Sequence, residues 1–193
     1  MDLLARLKAI YWALPSRRAR PASVARNLAK TGAQSVLMWL LFLGVLPLLF
    51  WHIESWLLTH NWPLQRFAPS RVLAVVTFIS GWAIAWASAW NLVKWGQGTP
   101  LPIDATNELV IRGPYRYIRN PMATASLLQG AAIGIWFGSP LILTYVFAGA
   151  LLWNVAARPW EEADLRARFG ADYERYQKQV RCWWPRLSPY EAE

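Results

Sequence analysis

Cysteine and histidine are scarce in this chain of 193 residues. It has one cysteine, Cys182, and two histidines, His52 and His60. A single thiol forms no internal disulfide, and one cysteine with two distant histidines does not match a zinc-binding pattern. We therefore predict neither a disulfide framework nor a metal centre.

Motifs for several common chemistries are also missing from the sequence. It contains no glycine-rich phosphate loop followed by lysine and a hydroxyl residue, no nucleophile elbow and no His-Glu metal motif. These absences argue against P-loop nucleotide hydrolysis, serine-hydrolase chemistry and zinc-dependent hydrolysis.

Acidic residues are few: 11 against 20 Lys and Arg, which gives a net charge of +9. The basic residues flank apolar runs and form no stripe with spaced base-stacking aromatics, so we predict no nucleic-acid partner. The anionic surface of a membrane is the expected partner instead. A hydrophobic content of 55% with 14 Trp fits an integral membrane protein better than a water-soluble domain.

The first 33 residues form a basic segment with seven Lys or Arg and a single acid, Asp2. Its apolar positions predict an interfacial amphipathic helix that ends at Pro15. A signal peptide is the alternative, but Arg6 and Lys8 interrupt the apolar core and no small-residue cleavage site follows. The residues on the apolar face are Leu3, Leu7, Ile10, Tyr11 and Leu14.

Four apolar runs predict membrane spans, because a helix of about 20 apolar residues crosses a bilayer core. Gly130, Gly134 and Gly138 repeat at four-residue spacing in the third run, which predicts close packing in a hairpin made by the third and fourth runs. Glu54 lies near the polar end of the first run, where an interfacial carboxylate is easily solvated. The runs are 35–58, 72–93, 123–137 and 141–157.

With four spans, eighteen of the 20 basic residues fall on one side, and only Arg66 and Arg71 fall on the other. The positive-inside rule therefore predicts that both termini and the central connection are cytoplasmic, in a protein of the inner or cytoplasmic membrane. The predicted fold is all-α and polytopic, ending in a helical hairpin and a cytoplasmic amphipathic tail. We divide the chain into a basic segment at 1–33, two spans at 34–95 and a core at 96–193.

The connection that begins near Gly96 concentrates arginines and tyrosines just before the hairpin. The hairpin returns the chain to the same side at Arg158, so the two segments are expected to lie side by side. Such a set suits a zwitterionic or dipolar ligand, with guanidinium for an anion, carboxylate for an ammonium and tyrosine rings for a flat base or a cation. The residues expected to meet are Tyr115, Arg116, Tyr117, Arg119, Asn120, Asn154, Arg158, Glu161 and Glu162.

A purely structural role fits the same residues. Pro159 suits the first turn of a new helix, and acids directly after it are favoured by the helix dipole. The arginines of the connection also suit cytoplasmic anchors. Composition and spacing leave both interpretations open.

At these residues the chain resembles the membrane methyltransferases grouped with isoprenylcysteine carboxyl methyltransferase and the phospholipid methyltransferases. The resemblance covers about half of the chain, from Gly96 to Pro185. Two positions depart from the family pattern: Asn120 stands where histidine is usual, and Ala123 stands where tyrosine is common. Asparagine still donates and accepts hydrogen bonds, but it does not titrate. The matching residues are Gly113, Tyr115, Arg116, Tyr117, Arg119, Pro121, Glu161, Glu162, Leu165, Phe169, Gly170, Tyr173, Tyr176, Val180 and Pro185.

The resemblance implies S-adenosylmethionine as the cofactor and a lipophilic small molecule or lipid as the methyl acceptor, arriving from the bilayer. It implies catalytic roles for Arg119 and Glu162. It also implies cofactor contacts from the connection and from the Glu-Glu pair. Those contacts are Gly96, Gly98, Tyr115, Arg116, Tyr117, Asn120, Pro121, Glu161 and Glu162.

Two other classes of function stay open at this point. Some membrane sterol reductases share the Arg-His-Pro-type block and use a nicotinamide cofactor, although the Glu-Glu pair and the Phe-Gly tail resemble the methyltransferases. A non-catalytic membrane protein that keeps the fold is the other alternative, which the replaced histidine and tyrosine favour. The sequence does not indicate an oligomeric state or the acceptor.

Overall fold

The computed structural model describes residues 18–100 and 104–191. The amphipathic helix predicted before Pro15 lies outside the described residues. Those residues fold into four long helical stretches and contain no β-strand, which confirms the all-α membrane fold.

The first stretch runs through α1 (Val24–Trp39), a π-helical turn (Leu40–Val45) and α2 (Leu46–Thr59). The second is α3 (Arg71–Gly96), and the third is α4 (Pro121–Phe137). The fourth runs through α5 (Pro140–Leu152), a π-helical turn (Trp153–Ala157) and α6 (Arg158–Gln179). A 3-10 turn at Gly113–Arg116 lies in the connection before α4.

Three of these stretches are long and apolar enough to cross a membrane: Val24–Thr59, Arg71–Gly96 and Pro140–Gln179. The charged part of the last one, α6, has a polar composition and lies beyond its apolar section. With 17 residues, α4 is the short arm of the hairpin, about 25 Å long at 1.5 Å per residue. The first helix starts about ten residues earlier than the predicted span, so residues 24–33 are helical and continuous with it.

The glycines of α4 pack closely against its neighbours, as their spacing predicts. A Cβ atom on Gly130 would lie 2.8 Å from Val146 Cγ2, and one on Gly134 would lie 2.6 Å from Leu143 Cδ2. Gly138 ends α4 in the left-handed conformation, with a φ of 61°, which a residue with a side chain rarely adopts. These glycines let the two arms of the hairpin approach.

Glu54 is buried, contrary to the prediction of a solvated interfacial carboxylate. It is fully inaccessible, and it accepts hydrogen bonds from Arg66 Nε at 2.7 Å and from Ser139 Oγ at 2.5 Å. The backbone N–H of Leu141 donates to it as well. The carboxylate therefore ties the far end of α2 to the turn of the hairpin, a contact between distant parts of the sequence that local pattern does not reveal.

The C-terminal tail packs as the sequence predicts. Tyr173, Tyr176 and Val180 form a buried cluster with Tyr190, and Leu165 and Phe169 pack against it. Inside α6, Gly170 has φ 51° and ψ −129°, which breaks the regular helix at that residue. The cluster fixes α6 over the connection.

Candidate active site

A continuous cavity of about 1160 Å³ extends from the connection and α6 into the space between α1, α3, α4 and α5. Four of the residues selected from the sequence line it, and they come from two segments. Its membrane part is lined mainly by apolar and aromatic side chains, and both π-helical turns contribute to its wall. The four residues are Tyr115, Arg119, Asn120 and Glu161.

Helix α6 continues directly from α5, which places the acidic pair beside the connection. Arg119 Nη2 lies 2.6 Å from Glu162 Oε1, and Asn120 Nδ2 donates to Glu161 Oε2 at 3.2 Å. Because the backbone is helical through Arg158, Glu161 and Glu162 do not belong to a separate new helix. The predicted meeting of the two segments is therefore observed.

Glu162 is the centre of a charge network just behind the cavity wall. Its side chain is 12% exposed, and three arginines lie within ion-pair distance. Gln177 Nε2 also donates to Oε2 at 2.7 Å, so both carboxylate oxygens are engaged. The arginines are Arg119 at 2.6 Å, Arg158 at 2.9 Å and Arg166 at 3.5 Å.

Hydrogen bonds to the protein hold the two terminal nitrogens of the Arg119 guanidinium group. Nη1 donates to the backbone carbonyls of Gln177 at 2.8 Å and Val180 at 2.9 Å. Nε is buried and has no hydrogen-bond partner among the described residues.

Glu161 has an unusual carboxyl group for a residue at a cavity wall. The pKa of Glu161 is raised to about 7, chiefly by burial and then by the neighbouring Glu162 carboxylate, with the hydrogen bond from Asn120 opposing the rise. Glu161 thus gains and loses a proton near neutral pH, and a bound cation would favour its charged form.

Tyr115 also lines the cavity. Burial raises the pKa of its hydroxyl well above the ordinary value, with Tyr176 and Glu161 adding to the effect. Its backbone carbonyl accepts a hydrogen bond from Tyr176 Oη at 2.6 Å, which joins the connection to the tail cluster. The ring therefore stays neutral and is held in place.

Other residues selected from the sequence lie outside the cavity lining. Arg116 Nε donates to the Tyr190 carbonyl at 2.9 Å, and the Tyr117 carbonyl accepts from the Arg186 N–H at 2.9 Å. Pro121 is buried at the start of α4. Both Arg116 and Tyr117 thus contact the C-terminal segment, not the acidic pair that the sequence predicted.

Gly96 and Gly98 lie where the connection folds back on the end of α3. A Cβ atom on Gly98 would lie 2.6 Å from Thr106 Cα, and one on Gly96 would lie 2.6 Å from Thr106 Cγ2. The Gly96 carbonyl accepts from the Asn107 N–H at 2.6 Å. These two positions leave no room for a side chain, because the chain itself packs on them.

Besides Glu108, sequence reasoning missed two further charged residues of the cavity wall. Arg168 Nη1 donates to Asp164 at 3.0 Å, and its Nη2 donates to the Thr106 carbonyl. Nε of Arg168 is buried without a partner among the described residues. Their spacing of four residues on a charged helix was available as a signal, but it is also typical of an exposed ion pair.

The profile of the phospholipid methyltransferase family matches residues 69–172 of the chain. Neither a curated protein nor a solved structure matches the chain significantly. The match covers more than half of the sequence, from α3 through most of α6, and includes Arg119, Asn120, Glu161 and Glu162. The chain belongs to the phospholipid methyltransferase family, and it is an integral membrane protein of a family whose name implies methyl transfer to a lipid-like acceptor.

Proposed function

We propose that this protein transfers a methyl group from S-adenosylmethionine to a lipophilic acceptor at the cytoplasmic face of the inner or cytoplasmic membrane. The observation that carries the proposal is the continuous cavity that joins the Arg119, Asn120 and Glu161 side chains to the apolar space between the helices. A lipid entering between the helices and a polar cofactor entering from the connection would meet there.

The residues at the mouth fit this cofactor chemically. S-adenosylmethionine carries a carboxylate, an ammonium group, a sulfonium and a flat base. The Arg119 guanidinium group suits the carboxylate, Glu161 suits a cationic group, and the Tyr115 ring suits the base. When bound, the cofactor supplies an electrophilic methyl group to an acceptor nucleophile.

The protein is then required mainly to align the two reactants and exclude water. Holding two reactants in line is worth about 7 to 11 kcal/mol of the barrier in favourable cases. Arg119 would orient an anionic acceptor. For an amine acceptor, Glu161, with its pKa raised to about 7, is placed to take the proton.

The other residues selected from the sequence take supporting roles in this proposal. Glu162 holds Arg119 through its ion pair. Gly96 and Gly98 keep the connection folded over the cavity. Arg116, Tyr117 and Pro121 fix the connection to the tail and to α4.

Contacts at one end of the bundle support the proposed orientation in the membrane. Lys30 Nζ pairs with Asp104 at 2.9 Å and the Ala19 N–H donates to the Ala105 carbonyl at 2.9 Å, which joins the start of α1 to the connection. Arg168 joins α6 to Thr106 of that connection. The basic end of the bundle is therefore one surface, which we place in the cytoplasm.

The test is a labelling experiment with methyl-labelled S-adenosylmethionine, the purified protein and a total lipid extract. A labelled product identified by mass spectrometry is the expected result, together with cofactor binding by calorimetry. A well-folded protein that binds no S-adenosylmethionine would contradict the proposal. The replacement Asn120→Ala should reduce labelling, because it removes the hydrogen bond that orients Glu161.

A further inference from the structure

The segment that follows α6, residues 181–190, carries two large apolar side chains on its surface, and we call it the C-terminal strap. Trp184 is 72% exposed and Leu187 is completely exposed, although the strap follows directly on the buried tail cluster. Single exposed apolar residues are common on protein surfaces. The position of the strap in the molecule therefore decides what these two side chains contact.

Hydrogen bonds to the connection hold the strap in place. The backbone N–H of Arg119 donates to the Arg181 carbonyl at 3.0 Å. The backbone N–H of Arg186 donates to the Tyr117 carbonyl at 2.9 Å. Because these bonds lie on both sides of Trp184, turning the exposed side chains inward would require breaking them.

Trp184 lies at the level where the fourth helical stretch leaves its apolar section. Its neighbour Trp183 packs edge-on against Trp153, with ring centroids 5.1 Å apart, and donates from Nε1 to Asn154 Oδ1 at 3.0 Å. Consecutive Cα atoms are about 3.8 Å apart, so the backbone of Trp184 is close to the same level. Val155, on that turn, is an exposed apolar residue of a stretch long and apolar enough to span a membrane.

Leu187 lies near the start of α4. The hydrogen bond of its neighbour Arg186 reaches Tyr117, which precedes Pro121, the first residue of α4, by four positions. This helix is about 25 Å long, whereas the hydrocarbon core of a bilayer is about 30 Å thick. A helix of this length does not extend beyond both edges of the core, so the residues just before it lie close to the headgroups.

The composition of the strap suits the boundary between the headgroups and the acyl chains. Tryptophan is enriched at that boundary, and the apolar side chains of interfacial segments insert into it by about 5 to 10 Å. The strap contains two basic residues, Arg181 and Arg186, and no acid. This charge favours contact with the phosphate groups of the lipids.

We propose that Trp184 and Leu187 insert into the headgroup–acyl boundary of the membrane leaflet at the connection end of the bundle. The partner of this surface is the lipid around the protein. Because the strap is hydrogen-bonded to Tyr117 and Arg119, its insertion fixes the mouth of the cavity at headgroup level. The contact does not depend on the proposed methyl transfer.

A nitroxide spin label at Leu187→Cys tests the position of the strap. The full-length protein is reconstituted in nanodiscs of phosphatidylcholine and phosphatidylglycerol. Power-saturation EPR then measures collisions of the label with oxygen, which concentrates in lipid, and with a water-soluble nickel chelate. The buried native thiol of Cys182 is replaced by alanine in every sample. Leu187 is completely exposed, so its replacement should leave the fold intact.

Two other exposed positions give the reference values. Phe147→Cys places the label on the apolar section of α5, and Glu174→Cys places it on the polar outer part of α6. The ratio of oxygen to nickel collisions at Leu187 should lie well above the ratio at Glu174 and below the ratio at Phe147. A ratio equal to that at Glu174 would overturn the inference. Weak collisions with both reagents would mean that a second copy of the chain covers the strap, which would overturn it as well.

Trp184→Ser in the labelled protein should shift the collision ratio at Leu187 towards the value at Glu174, because it removes a side chain that holds the strap at the boundary. Trp62→Ser is the matched control, since Trp62 is also an exposed tryptophan but follows the far end of α2. It should leave the ratio unchanged. A ratio that does not respond to Trp184→Ser would overturn the assignment of Trp184. Thermal unfolding in detergent should match that of the Cys182→Ala protein for both serine variants, because neither removes a buried side chain.

Discussion

Arg119 and Glu162 form a close ion pair across 43 residues of sequence, with Nη2 and Oε1 separated by 2.6 Å and side chains 8% and 12% exposed. The pair joins the connection before α4 to the helix after α5. Glu161, the acid next to Glu162 in the sequence, lines the cavity and accepts a hydrogen bond from Asn120. Adjacent acids therefore have different surroundings, which makes them separable by experiment.

Glu162→Gln should destabilise the protein. The amide cannot balance the charge of the buried Arg119, and loss of a charge-assisted hydrogen bond is worth about 1.5 to 3 kcal/mol. Glu161→Gln is the matched control and should have little effect on stability, because burial already favours its neutral form near pH 7. Unfolding in detergent measures both. Equal losses in the two variants would contradict the assignment of Glu162 to the network.

Gly134→Ala should lower stability by about 1 to 3 kcal/mol, the usual range for overpacking. Its new methyl group would lie 2.6 Å from Leu143 Cδ2 and push the hairpin arms apart. Gly149→Ala, in the facing arm, is the control, because nothing lies within 4 Å of its Cβ position. Denaturation of both variants in the same detergent tests the contact, and an unchanged Gly134→Ala would show that the arms do not rely on it.

Glu54→Gln should weaken the far end of the bundle by about 1 to 3 kcal/mol, since the buried carboxylate accepts from Arg66, Ser139 and the Leu141 N–H. Ser55→Ala is the neighbouring control. Its hydroxyl contacts the same arginine on the exposed side, at 2.7 Å, and should matter less. Thermal unfolding of the two variants measures both losses of stability. A larger loss in Ser55→Ala than in Glu54→Gln would contradict the prediction.

The sequence predicted the elements of this fold better than the partners of individual side chains. Apolar run length located the helices and the hairpin, and the predicted amphipathic tail packs through Tyr173, Tyr176 and Val180. The burial of Glu54 was not predictable, because its partners Arg66 and Ser139 approach only after the hairpin has formed. Local pattern reports which face a residue occupies, but not what lies opposite it.

The same distinction applies to the candidate site. Helix continuity after α5 was sufficient to bring the acidic pair to Arg119 and Asn120. Helix continuity did not indicate which of the two acids faces the cavity, because neighbouring helix positions differ by about 100°. Arg116 was misplaced for a related reason, because the C-terminal segment that binds it folds back from a distant part of the chain.

Topology reporters should place the end of α3 inside and the turn of the hairpin outside. The expectation follows from the charge asymmetry and from the shared end of α1, the connection and α6. Fusions after Gly98 and after Ser139 measure the two positions. Activity of the cytoplasmic reporter at the second position, or of the external reporter at the first, would contradict the proposed orientation.

Cofactor affinity should rise with pH across the titration of Glu161. Its folded pKa is raised to about 7, so the folded protein binds more protons than the unfolded chain between the ordinary carboxyl pKa and that value. The group therefore contributes most to stability at low pH and loses that contribution as pH rises through about 7. A cationic ligand reverses the preference, because it stabilises the carboxylate.

Calorimetry from pH 6 to pH 7.5 should show S-adenosylmethionine binding strengthened roughly five- to tenfold, following the ionised fraction of a group with this pKa. The range stops just below the pKa of the ligand's own amine, about 7.7 to 8.0 for an ordinary α-amino group. Glu161→Gln removes the titrating group and should give a nearly constant affinity over the same range, at about the low-pH value of the wild type. If the variant keeps the wild-type pH profile, a group other than Glu161 contacts the cation. The proposed position of the cofactor at the mouth of the cavity would then be wrong.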